Sequence, residues 1–80
     1  MKQLNKSASL HELASQYPEI IEIMYQLGFK EIKIPGMLAT AGRRVTIPQG
    51  ANLKHIDWEN MVRAFAEAGF EFVGDDHAEN

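Results

Sequence analysis

Gln26-Leu27-Gly28-Phe29 and Glu67-Ala68-Gly69-Phe70 decide how this chain folds. Each follows an apolar stripe at helical spacing: Ile20, Ile21, Met24 and Leu27 in the first case, Met61, Val62, Phe65 and Ala68 in the second. Each then stops at a glycine suited to a left-handed helix cap, with Phe positioned to fold back onto the last turn. Working outward, Ser9-Leu10-His11-Glu12 and Thr46-Ile47-Pro48-Gln49 both read as capping boxes, a hydroxyl three residues ahead of Glu or Gln. The start signals and the stop signals recur in the same order. The chain thus reads as two similar helix pairs, neither able to bury enough alone, closing one core between them.

The remaining elements come from local chemistry. Ser9 opens a first helix with Leu10, Leu13 and Ala14 on one face. Pro18 lacks an amide hydrogen and breaks that helix, so Tyr17-Pro18 is a corner. A second helix over residues 18–27 carries Glu19 and Glu22 near its positive end. Residues 29–35 read as an extended connector, with Ile32 and Ile34 alternating with charges. Residues 37–41 read as a short helix closed by Gly42. Thr46 starts the next helix, ending near Lys54 or His55, and Asp57 caps the last, with Trp58 as a core anchor. Phe70, Phe72 and Val73 suit a short strand, with Leu4 opposite Phe72 as a minor pairing. The expected fold is all-α, four main helices plus one short helix, in one domain over residues 1–80. The ordered core spans 4–73, with a frayed acidic tail over 74–80.

Composition narrows the function. There is no cysteine, which removes disulfides, thiolate metal sites and cysteine nucleophiles. The net charge of −3 argues against general nucleic-acid binding. No apolar run is long enough to cross a membrane, and no signal-like core follows the N-terminus, so the default location is cytoplasmic. His11, His55 and His77 lack metal-ligand spacing. Glu19 with Glu22 and Asp75 with Asp76 read as helix-start and tail charges, not as an acid–base pair. Ser7, Ser9 and Ser15 have no nucleophile-elbow context, and Gly36 and Gly42 make no phosphate loop. The last helix offers Glu59, Asn60, Arg63 and Glu67, too mixed in sign for a DNA-reading helix. No catalytic set, metal site or cofactor site can be assembled, and the chain reads as a non-enzyme.

What is left is the region over 34–44, basic where the C-terminal part is acidic. Ile34, Pro35, Met37 and Leu38 form an apolar patch beside Arg43 and Arg44. The composition suits a protein interface. In so small a domain the same side chains could instead fill the core. Arg43 and Arg44 precede the Thr46 helix start, where an anion would relieve the charge, yet they also follow a helical segment whose end favours cations. The candidate partner- or anion-binding residues are Met37, Leu38, Thr40, Arg43, Arg44 and Thr46. Two functions are open: an accessory module that binds a partner protein through 34–44, or a sensor holding an anionic metabolite or cofactor between the helix pairs.

The layout of Ser9-Leu10-His11-Glu12-Leu13, Tyr17-Pro18-Glu19 and Leu27-Gly28-Phe29, with the helix and corner over residues 46–57, resembles a family of small bacterial domains of unknown function. That family is related to the N-terminal domain of ScdA-type iron–sulfur cluster repair proteins and to the hybrid-cluster-protein-associated redox disulfide domain. The resemblance covers about residues 4–73. It implies a helical fold and a regulatory or accessory role, alone or beside sensor and hemerythrin-like modules. The redox relatives carry Cys-x-x-Cys shortly after the Gly-Phe. Here that stretch is Lys30-Glu31-Ile32-Lys33-Ile34-Pro35, so the chain resembles a cysteine-free branch and takes over no thiol chemistry.

Overall fold

The structure, a computed structural model, describes residues 1–74. Its elements in chain order are β1 (Lys2–Asn5), α1 (Leu10–Gln16), α2 (Glu19–Gln26), a 3-10 turn (Lys30–Lys33), a second 3-10 turn (Ala41–Arg43), α3 (Ile47–Leu53), α4 (Trp58–Glu67) and β2 (Phe70–Val73). The fold is mostly helical, but the all-α expectation is corrected by a parallel two-stranded sheet. Leu4 pairs with Phe72, the register the sequence suggested. The fully buried Leu4, Phe65 and Phe70 hold this sheet to α4. Ring centroids of Phe65 lie 6.3 Å from Phe70 and 5.0 Å from Phe72. Trp58 is half-buried, 4.9 Å from Phe72.

The helix starts follow their caps with one asymmetry. Thr46 and Gln49 form a complete capping box. At α1 the Ser9 oxygen accepts the Glu12 amide at 3.1 Å, but the return bond from Glu12 is not made. The backbone there is used differently: the Leu10 amide donates to the Val45 carbonyl at 2.8 Å, and Ser9 and Thr46 form an antiparallel bridge. The first residues of both helix pairs are thereby tied together. Pro18, with φ −58°, sits just before α2 and turns the corner. Asp57 occupies the cap position of α4, but its carboxylate makes no cap hydrogen bond, contrary to expectation.

The helix ends also follow the sequence. Gly28 and Gly69 have φ of +114° and +93°, values that L side chains rarely adopt. At the first end the Phe29 amide reaches the Met24 carbonyl (3.0 Å) and the Gly28 amide that of Tyr25 (3.1 Å), a Schellman cap. The α3 helix closes in the same way without a glycine. His55 has φ +58°, its amide donates to Asn52 (3.2 Å), and the Ile56 amide donates to Ala51 (2.8 Å).

Three expectations fail in detail. Residues 29–35 are not extended: they hold a 3-10 turn, because no strand among the described residues lies beside them and Ile32 is drawn into the core. Residues 37–41 are not a helix but consecutive turns leading to the second 3-10 turn. Gly42 lies inside that turn and is not a left-handed cap. A Cβ there would stand 3.0 Å from Leu38 Cδ2, so the end of the Leu38 side chain would have to give way. Finally, α4 buries Met61 and Phe65 completely, while Val62 and Ala68 face outward. The expected acidic tail lies, beyond Gly74, outside the described residues.

Candidate functional site

The region over 34–44 divides into an outer groove and inner cavities. The groove, about 610 Å³, runs between α1 and the loop; Ile32 and Leu38 lie along it, with Ile34 and Pro35 on one side and His11 on the other. Ile34 is 51% exposed, and Leu38 is half-buried against the core. Lys33 joins the lining, its ammonium tied to Glu22 at 2.8 Å. That bond, together with a hydrogen bond from Gln26, holds the Glu22 carboxyl below its usual range, and Glu22 in turn raises Lys33. The Nζ of Lys30 and of Lys33 each lie 4.2 Å from the Tyr25 ring centroid.

The candidate residues do not converge on one point. Met37 is half-buried and lines an inner cavity behind the groove. Leu38 touches both spaces. Thr40 is exposed, but its hydroxyl donates to the Gly36 carbonyl (2.8 Å), with the Met37 carbonyl at 3.2 Å, which holds the turn. Arg43 donates through Nε to the Ala39 carbonyl at 2.8 Å, which braces the turn. Arg44 is exposed, and the two arginines share a shallow depression with Thr40. The helix start beyond them is already occupied: the Thr46 amide donates to Gln49 Oε1 (3.0 Å) and the Gln49 amide to Thr46 Oγ1 (3.3 Å).

Sequence reasoning left out several residues that shape this region. His11, Ile21 and Ile32 line the groove although they belong to elements read as scaffold. Their signal was present in part, since Ile21 lies one residue off the fully buried Ile20. Leu53 is 73% exposed at the end of α3, and nothing in its spacing marks it. Among the described residues no group of three or more His, Cys, Asp and Glu could hold a metal ion. Among the same residues no helix is long and apolar enough to cross a membrane.

Comparison with known proteins adds a family and a structural relative. The family model described as "Domain of unknown function (DUF1858)" matches residues 4–62. No curated protein matches the chain. The fold is similar to "The crystal structure of the conserved domain protein from Streptococcus pneumoniae TIGR4", with 33% identity, 95% of this chain and 96% of that chain covered, and a TM-score of 0.86.

Proposed function

The chain belongs to the DUF1858 family, and on that premise we propose that it is a non-enzymatic accessory or regulatory module of a bacterial cytoplasm. It binds a partner protein through the surface over residues 34–44. The observation that supports this reading is Ile34, 51% exposed beside an open groove whose lining includes the apolar Ile32 and Leu38. An exposed aliphatic next to a concave apolar surface, with cations at its edge, is the composition of an interface core and rim. Lys33 lines the groove, paired with Glu22, and the exposed Arg44 lies in the neighbouring depression, which shares Ala39 with the groove. The resemblance to the ScdA N-terminal domain supports a partner such as a sensor or hemerythrin-like module. Without cysteine, the contribution is recognition and not thiol exchange.

The test is capture from native lysate with the wild type beside Ile34→Asp and Arg44→Glu variants. Both side chains are exposed, so each substitution changes stability by only about 0.5 kcal/mol. We expect one protein held by the wild type and lost from both folded variants. Retention of that protein by a folded Ile34→Asp variant would refute the interface.

A further inference from the structure

We propose that two adjoining apolar cavities, bounded by α1, the connection over 29–45 and α3, are a binding site for a short alkyl chain. Two cavities of about 130 Å³ each lie behind the loop. Both are walled by Leu10, Phe29 and Val45, so they adjoin across these three side chains. The first is completed by Ile32, Met37 and Leu38. The second is completed by Met24, Gly50 and Leu53.

The lining decides the class of ligand. The one hydroxyl at the second cavity, that of Thr46, accepts the Gln49 amide within the capping box. The charged groups at the rims, Glu31 beside the first cavity and Lys54 beside the second, neutralise one another at 2.7 Å. A polar ligand entering here would lose its water without regaining hydrogen bonds, which is costly. An apolar one would not. Each cavity opens to the surface, and its volume approaches that of an engineered apolar cavity of about 150 Å³ that takes up benzene. A rigid ring fills one lobe. A flexible chain can occupy both by passing the Phe29 edge, and Leu53, 73% exposed, extends its apolar path to the surface.

Gly50 keeps that passage available. A Cβ at this position would stand 3.1 Å from Phe29 Cε2, so only glycine leaves the ring where it is. Its place in the middle of α3 otherwise lowers helix propensity. Ile32 and Leu38 line both the groove and the first cavity, whereas Val45 and Gly50 line only the cavities, so substitutions at those two positions test this site apart from the protein-binding surface.

The experiment is a methyl-detected NMR titration of the full chain with 1-octanol and, separately, with octanoate. Saturable shifts at Leu10, Met24 and Val45 with both probes support the site. Tighter binding of octanoate adds that a carboxylate settles near Lys54, and equal binding means that the chain alone is read. Val45→Phe pushes a ring into the space from the wall the two lobes share and should weaken binding at least tenfold while circular dichroism stays unchanged. Should that variant fail to fold, Gly50→Ala, which displaces the Phe29 ring, carries the same expectation. Shifts confined to the exposed methyls of Ile34 and Val62, or unchanged affinity in a folded filled variant, would overturn the proposal.

Discussion

Two helix ends with nearly the same sequence lead to opposite kinds of structure. After Gly69 the chain becomes a strand: the Lys2 amide takes the Gly69 carbonyl at 2.9 Å, and Phe70 is fully buried, 5.3 Å from the Tyr17 ring. After Gly28 the Phe29 carbonyl is taken locally by the Ile32 amide at 3.1 Å, and the chain coils into a 3-10 turn. Phe29 is 8% exposed and faces a cavity on either side. The cap therefore stops a helix but does not choose between strand and turn after it. That choice belongs to the next residues and to whether a strand lies within reach. The second end is the packed half of the molecule, and the first is the half with room in it.

The comparison is broken most severely at the phenylalanines. Phe70→Ala should cost about 3–5 kcal/mol, as expected for a closely packed aromatic. The whole domain is stable by about 4–12 kcal/mol, so this loss removes a large fraction of the total and moves the unfolding midpoint steeply down. Phe29→Ala should cost less, about 2–3 kcal/mol, because a ring bordered by cavities forfeits fewer contacts. Urea denaturation of both variants measures the difference. Equal costs would mean that the space around Phe29 closes in solution.

A smaller effect separates the caps from the segments they lead into. Gly28→Ala and Gly69→Ala place a Cβ in open space but at positive φ, so each should cost about 1–2 kcal/mol from backbone strain alone. The helix ends then agree although their continuations do not. His55 is the inverse case, a non-glycine already at φ +58°, and His55→Gly should stabilise by about 0.5–1 kcal/mol. Thermal unfolding of the three variants checks both signs. A loss at His55→Gly would show that the imidazole makes a contact worth more than the strain.

These contrasts mark what could be read in the sequence. Ser9, Thr46, Gly28 and Gly69 announce their roles because capping is local, set within four or five residues. The Leu4–Phe72 register was legible because a one-residue slip would turn Phe70 and Phe72 to the wrong face. The 3-10 turn at Lys30–Lys33 was not legible. Alternating Ile and Lys fits a strand, and only the absence of a neighbouring strand among the described residues, a tertiary fact, decides against it. Gly42 misled for a related reason: a glycine packed close against Leu38 looks the same as one needed for a cap. The candidate site suffered most. Arg43 and Thr40 spend their polar groups on nearby backbone, and the cavities depend on residues from five elements that no spacing connects.

The finest test of the comparison lies in two exposed ion pairs, one in each half. Lys54 donates to Glu31 at 2.7 Å across the rims of the cavities, and Lys2 donates to Glu19 at 3.1 Å beside the sheet. Both carboxyls are held below the ordinary value of about 4.3, for different leading reasons. At Glu31 the Lys54 hydrogen bond comes first, whereas at Glu19 a backbone hydrogen bond outranks Lys2. A depressed carboxyl stabilises the fold above its unfolded value, and that contribution is lost as pH falls through the folded one. Lys54→Met should therefore raise the Glu31 midpoint, short of the part its own backbone hydrogen bond holds, and flatten some of the acid-side stability loss that Glu31 causes. Lys2→Met should leave Glu19 still depressed, because its backbone donor at the start of α2 survives. Carboxyl chemical shifts followed from pH 7 to pH 2 read both midpoints. A Glu31 midpoint indifferent to Lys54 would mean that the pair across the cavity rims is open in solution.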